Sequence, residues 1–185
     1  MAGTLVCVVG PSGAGKDSVM NAARALLGGD ERVAFPRRFV TRPADAGGEE
    51  HMAVAPERFV QLRDDGALAL WWEAHGIAYG IGAEVGEHLA AGRLVVVNVS
   101  RAVVARARAA FERVVVVEIT ADPEVLARRL AGRGRESSAE IAGRLARSQS
   151  LPIDADETIV NDGVLDEAAH AFVAILKRCS GLPVD

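Results

Sequence analysis

Residues 4–9 (TLVCVV) are continuously apolar and run straight into Gly10-Pro11-Ser12-Gly13-Ala14-Gly15-Lys16-Asp17-Ser18. No other stretch limits the fold as sharply. A short apolar run without polar alternation suits a strand buried on both faces of a parallel sheet. The segment after it, 16–27, carries Val19, Met20, Ala23 and Leu27 at helical spacing and stops at Gly28-Gly29. Between strand and helix stands G-x-x-x-x-G-K, in the setting that gives the motif its meaning. Its glycines let the backbone wrap a polyphosphate with inward N–H groups, and the helix N-terminus adds the positive end of a dipole. Lys16 supplies a mobile cation. It stands out because the chain has 21 basic residues and only two are lysines. The alternative, a glycine-rich turn that merely joins strand to helix, does not account for the lysine in register.

The pattern then repeats. Apolar strand-like runs recur at 94–99 (LVVVNV) and 114–119 (VVVVEI), each after a helix-like segment, with a weaker one at 158–160. Segments 101–111, 123–130, 139–150 and 165–178 read as helices. This alternation predicts one α/β domain, a parallel sheet flanked by helices. Residues 35–82 interrupt it with short β-like pieces at 38–41, 51–54, 68–72 and 77–79, broken by Pro, Gly and acidic turns, and one helix at 56–65. We expect a small, partly antiparallel insertion there, placed to bind a second substrate, with 1–34 and 83–185 forming the core. The charged segment near 131–150 reads as a helical lid.

Composition narrows the functional classes. A net charge of −4 argues against a general nucleic-acid binder. No apolar run approaches the roughly 20 residues of a membrane span. The start of the sequence lacks the basic and apolar regions of a signal peptide. Cys7 and Cys179 fit no metal-ligand spacing and are too few for a disulfide framework. A reduced, cytoplasmic location is therefore expected. Partners are expected to be small molecules, with a homodimer left open.

ATP and a phosphorylated acceptor would bring several negative charges together. Guanidinium groups answer that need, because they bind phosphate bidentately and stay charged. Arg37, Arg38 and Arg42 form one cluster, and Arg133, Arg135, Arg144 and Arg147 another. An ionised acceptor phosphate needs no general base, so catalysis reduces to positioning and charge neutralisation. One loop position departs from the motif. The residue after Lys16 is ordinarily Ser or Thr, whose hydroxyl ligates Mg²⁺; here it is Asp17. The strand from 94 ends at Asn98, where the acidic residue associated with Mg²⁺ usually stands. We expect the metal-side carboxylate to have moved into the loop, as Asp17; capping of the helix N-terminus is the alternative.

These pieces, over nearly the whole chain, resemble the guanylate kinase fold family. The loop GPSGAGK, Thr41-Arg42, His75-Gly76 through Tyr79-Gly80, Arg133-Gly134-Arg135-Glu136 and Val160-Asn161-Asp162 follow that family's order. The acids that read guanine do not. The family's E-W-A-E appears as Leu70-Trp71-Trp72-Glu73, its D-x-D strand end as Asn98-Val99-Ser100, and its second acceptor arginine is absent from Pro43-Ala44-Asp45. A pocket without those carboxylates leaves guanine N–H donors unpaired, which costs discrimination heavily.

The departures themselves are similar to the ribose 1,5-bisphosphate phosphokinase family of bacterial phosphonate catabolism. The likeness covers Gly10 to Ser18 including Asp17, Phe39-Val40-Thr41-Arg42, Tyr79-Gly80, Asn98 with Ser100-Arg101, and the run from Gly132 to Ile141. It implies ATP- and Mg²⁺-dependent conversion of the sugar bisphosphate to 5-phosphoribosyl 1-diphosphate. Carried onto this sequence, Lys16, Arg133 and Arg144 would be catalytic. Gly10 to Ser18 and Arg135 would hold the nucleotide, and Asp17 the metal. Arg38, Arg42, Tyr79, Asn98, Ser100, Arg101 and Arg147 would hold the acceptor. Trp71 and Trp72 cannot both face inward from one strand, so one is expected to line the acceptor pocket. The other readings are a nucleoside-monophosphate kinase with an unusual pocket, a non-catalytic binding module of the same fold, and a nucleotide-driven switch.

Overall fold

The computed structural model describes residues 2–43, 50–131 and 154–180. Its central sheet has five strands in the order β2-β7-β1-β8-β9. These are β1 (Thr4–Val9), β2 (Val33–Ala34), β7 (Leu94–Asn98), β8 (Val114–Thr120) and β9 (Glu157–Val160). Pairing is parallel where β2 meets β7 and where β8 meets β9. Every residue of β1 and β7 is buried, as their unbroken apolar runs predict. Each fully buried valine in such a strand contributes roughly 1.5–3 kcal/mol relative to exposure.

A second sheet, of four strands in the order β4-β3-β6-β5, carries the expected insertion. It comprises β3 (Phe39–Val40), β4 (Met52–Ala53), β5 (Leu68–Ala74) and β6 (Ile77–Gly82). β3 runs parallel to β4 and antiparallel to β6, and β5 and β6 form an antiparallel hairpin. The insertion is thus partly antiparallel. Its turn holds His75 at φ 53 next to Gly76 at φ 73, a left-handed pair suited to a tight hairpin.

The helices are α1 (Lys16–Leu26), α2 (Pro56–Asp64), α3 (Val85–Ala90), α4 (Val104–Ala110), α5 (Pro123–Ala131) and α6 (Leu165–Ser180). α1 ends where the paired glycines Gly28 and Gly29 turn left-handed. The segment 101–111, read as one helix, is a 3₁₀ turn (Arg101–Val103) followed by α4. Ser100 explains the split, because its Oγ accepts the Ala102 N–H at 3.3 Å and caps the turn. None of the helices among the described residues is long and apolar enough to cross a membrane.

By contact density the chain divides into two compact units, Met1–Cys7 with Asp30–Val114, and Val8–Gly29 with Val115–Asp185. In the first, α2 packs on β5 and α3 on β7. In the second, α1 packs along α6, whose Phe172 and Leu176 are fully buried, and α6 also contacts β9. The lid expected near 131–150 lies outside the described residues from 132 onward.

Candidate functional site

In the second unit the chain leaves β1 at Gly10 (φ 144), and turns through Gly13 (φ 88) and Gly15 (φ 84) into α1. Two of these glycines are fixed by what surrounds them. A β-carbon at Gly10 would sit 1.9 Å from the Ile119 carbonyl oxygen, and one at Gly15 would sit 2.6 Å from Asn161 Nδ2. Pro11 to Ser18 complete the loop and the first turn of α1, with Gly13 and Ala14 buried and Ser12 and Ser18 exposed. Gly15 is the N-cap and makes no side-chain cap bond, so the first N–H groups of α1 are not capped by that residue. Lys16 Nζ donates to the Gly10 and Pro11 carbonyls at 2.9 Å each, folding the cation over its own loop. This keeps the ammonium on the loop whose backbone N–H groups suit a phosphate.

The loop is buttressed from β9. Asn161, 4% exposed, donates from Nδ2 to the Ala14 carbonyl at 2.8 Å, while its backbone N–H bonds the Thr120 carbonyl at 2.8 Å. One residue on, Asp162 Oδ1 accepts the Asp122 N–H at 2.6 Å, and Asp122 Oδ1 accepts the Glu124 N–H at 2.9 Å. The β8 and β9 ends and the start of α5 are thereby tied behind the loop. Arg129 of α5 approaches the same point: its Nη1 lies 4.0 Å from where a β-carbon at Gly15 would be. That nitrogen is buried and has no hydrogen-bond partner among the described residues. Neither Asn161 nor Arg129 was a sequence-predicted site residue. The signal for Arg129 was present, since it is bracketed by Leu126 and Leu130, the buried residues of α5, whereas Arg128 is exposed.

The first unit gathers a different set. Trp72 and Tyr79 face each other across β5 and β6. Their rings stack at 5.4 Å with an 8° interplanar angle. The Arg38 guanidinium lies 5.3 Å from the Tyr79 ring centroid and 5.9 Å from that of Trp72, and Nη1 donates to the Asn98 carbonyl at 3.1 Å. Arg38, Tyr79 and Asn98, all expected to hold the acceptor, therefore do meet. Thr41 Oγ1 accepts the Ala78 N–H at 2.8 Å and ties the end of β3 to β6. Arg42 follows; its carbonyl contacts His51 Nε2 at 3.1 Å, and its Nε is buried without a hydrogen-bond partner among the described residues. Ser100 Oγ accepts the Ala102 N–H in the 3₁₀ cap, which does not use its O–H, and Arg101, half-buried, begins that turn. Arg133, Arg135, Arg144 and Arg147 lie outside the described residues.

Mg²⁺ is tested by the donor set. No group of three His, Cys, Asp or Glu that could hold a metal occurs among the described residues. Mg²⁺ is commonly bound by one or two carboxylates together with substrate phosphates, keeping several waters. A single hard carboxylate, Asp17, in the first turn of α1 beside the loop meets that requirement.

The guanylate kinase family profile matches residues 2–178. The chain is 51% identical over 179 residues to a protein of Methylobacterium radiotolerans named ribose 1,5-bisphosphate phosphokinase PhnN, covering 97% of this chain and 100% of that one. Proteins of the same name from Acidiphilium cryptum and Agrobacterium fabrum are 51% and 47% identical, across 98% and 96% of this chain and 96% and 98% of theirs. Among solved structures, a guanylate kinase from Anaplasma phagocytophilum superposes with a TM-score of 0.70 at 22% identity, covering 96% of this chain and 86% of that one.

Proposed function

The chain belongs to the guanylate kinase family, and from that premise we infer that it transfers the γ-phosphoryl group of ATP to α-D-ribose 1,5-bisphosphate, giving 5-phosphoribosyl 1-diphosphate and ADP. The observation that carries this is the 51% identity, over essentially full length, to a protein named for that activity. The intact phosphate loop supports the enzyme reading over a non-catalytic module of the same fold. The likeness to a solved guanylate kinase speaks to fold and not to acceptor.

In the reaction an oxygen of the sugar 1-phosphate forms a bond to the γ-phosphorus. The bond from that phosphorus to the β–γ bridging oxygen breaks, and the electron pair leaves with ADP. No proton need be removed from the nucleophile, so the protein's task is alignment and charge neutralisation. Loop N–H groups and the α1 dipole receive the β- and γ-phosphates. Lys16 exchanges the Gly10 and Pro11 carbonyls for phosphate oxygens and follows the charge as it moves. Arg38, Arg42 and Arg101 take the acceptor phosphates together with Tyr79, Asn98 and Ser100. From the resemblance, Arg133 and Arg144 would neutralise the transferring charge, Arg135 would hold the nucleotide and Arg147 the acceptor. Asp17 would hold Mg²⁺, which when bound neutralises phosphate charge and fixes its geometry. A cytoplasmic setting suits substrates this highly charged.

Phosphorus NMR of the protein with Mg-ATP and ribose 1,5-bisphosphate tests the reaction directly. A pair of coupled diphosphate resonances on the sugar is expected alongside ADP. ADP with free phosphate alone would mean hydrolysis and contradict the assignment. For the metal, Asp17→Ala is expected to lower binding of Mn²⁺ in the ATP complex, read by electron paramagnetic resonance, and to raise the Mg²⁺ requirement sharply. Unchanged Mn²⁺ affinity would assign Asp17 to capping α1.

A further inference from the structure

β5 sets its two tryptophans on opposite sides, because successive side chains of a strand alternate. Trp71 meets the Arg63 and Arg106 guanidinium groups, 5.4 and 5.3 Å from its ring. Trp72 takes the side that faces Tyr79 and Arg38. It stands opposite Tyr79 in the hairpin, and the two rings are stacked, with 5.4 Å between centroids and 8° between planes. That separation and tilt are those of an offset-stacked aromatic pair. The Arg38 guanidinium lies 5.3 Å from one centroid and 5.9 Å from the other, so the ring pair belongs with the residues expected to hold the acceptor. The next rung of the hairpin is apolar, Leu70 opposite Ile81, at 3% and 0% exposure. Trp72 itself is 7% exposed, whereas Tyr79 is only half-buried. The indole is therefore part of the insertion's core and not a side chain free to swing.

We propose that Trp72 is a specificity-determining residue of the acceptor site: its indole fills, from within the protein, the slot that a nucleobase would take against Tyr79. Indole is a fused five- and six-membered ring, with the shape and flatness of a purine. Laid on Tyr79, it covers the face on which a purine would otherwise stack. In the E-W-A-E pattern the position of Trp72 belongs to alanine, which has no ring to cover that face. The proposal rests on the kinase reading for the identity of the acceptor and adds a second source of selectivity to it. Loss of the guanine-reading acids removes an attraction and concerns one base. A ring already in the slot excludes every base, whatever hydrogen bonds its edge offers, and a sugar bisphosphate carries no base to meet it. A buried indole cannot step aside without giving up its stack and its close packing, so the exclusion is built into the folded insertion.

The test is a gain of binding, which a merely structural role for Trp72 would not produce. The probe is 2-aminopurine riboside 5′-monophosphate, whose emission is quenched on stacking. It is titrated with the donor site filled by Mg²⁺ and the β,γ-imido analogue of ATP. Trp72→Ala, folded by circular dichroism, is expected to quench the probe saturably. Its affinity should exceed that of wild type by about 5- to 150-fold, the span of one base stacked on an aromatic ring. Wild-type protein is expected to leave the emission unchanged over the range in which the variant saturates. Free indole, by refilling the slot, should reverse the quenching. Should Trp72→Ala fail to fold, Trp72→Leu carries the test, because it keeps an apolar side chain in the row and uncovers the Tyr79 ring. Quenching by wild-type protein, or none by a folded variant, would overturn the proposal. Turnover of ribose 1,5-bisphosphate by wild-type protein is measured separately. Failure there would remove the acceptor assignment, and the probe titration would still decide whether Trp72 closes a base-sized slot.

Discussion

Asn161→Asp should damage the phosphate loop more than Asn161→Ala, even though it is the closer mimic in shape. The wild-type amide donates from Nδ2 to the Ala14 carbonyl at 2.8 Å, in a buried setting with the side chain 4% exposed. Alanine removes the donor and leaves that carbonyl unsatisfied, a cost of about 1–3 kcal/mol. In a protein of this size that lowers Tm by about 2–4 °C per kcal/mol. Aspartate does more. It sets a carboxylate oxygen against the Ala14 carbonyl oxygen, and it brings a buried negative charge to the place where ATP phosphates must bind. Affinity for ATP should fall at least tenfold further than in the alanine variant, since about 1.4 kcal/mol is a factor of ten. Burial holds such a carboxyl's pKa up, and its protonated form can donate to Ala14. The aspartate variant should therefore recover ATP affinity as pH falls toward 5, whereas the alanine variant should not. The assay is calorimetric ATP titration at several pH values beside thermal melts. An Asn161→Asp protein that binds ATP as well as wild type at neutral pH would refute the buttress.

Three further outcomes follow from the same geometry. Lys16→Met should fold with near-native Tm, because its Nζ donates to carbonyls of its own loop; the rate of phosphoryl transfer should drop by about 10²–10³, the scale for losing one preorganised charge-stabilising group. Gly10→Ala should fail to accumulate as folded protein, judged by circular dichroism and solubility, since its β-carbon would lie 1.9 Å from the Ile119 carbonyl oxygen. Cys7, fully buried in β1, has its thiol pushed up to about 12 by burial. Its folded pKa then exceeds the unfolded one, so the native state holds the proton longer, and stability from this group is lost as pH rises above about 9. Native protein should react with one maleimide, at Cys179, and unfolded protein with two, and Cys7→Ala should flatten the fall in Tm on the alkaline side.

Much of this was legible because its signals are local. The unbroken apolar runs of β1 and β7, the glycines of the loop and the paired glycines after α1 each speak through neighbours within a few residues. The alternation along β5 likewise separated Trp71 from Trp72, and Trp72 is the one that turned out buried. What escaped is long-range or too short to carry a period. β2, β3 and β4 have two residues each and exist only through their partners. Asn161 reaches Ala14 across 147 positions, a contact that no pattern along the chain encodes. The split of 101–111 turned on one hydroxyl, that of Ser100, winning the Ala102 N–H.

The central claim concerns the acceptor, and one competition assay addresses it most directly. ADP release from Mg-ATP is measured with ribose 1,5-bisphosphate and with GMP, separately and then together, at equal concentrations. Rapid turnover of the sugar bisphosphate, none of GMP, and no inhibition by GMP in the mixture are expected of a pocket carrying Leu70, Asn98 and Ser100 where the guanine-reading acids would stand. Turnover of GMP at a comparable kcat/KM, with the sugar bisphosphate idle, would contradict the account.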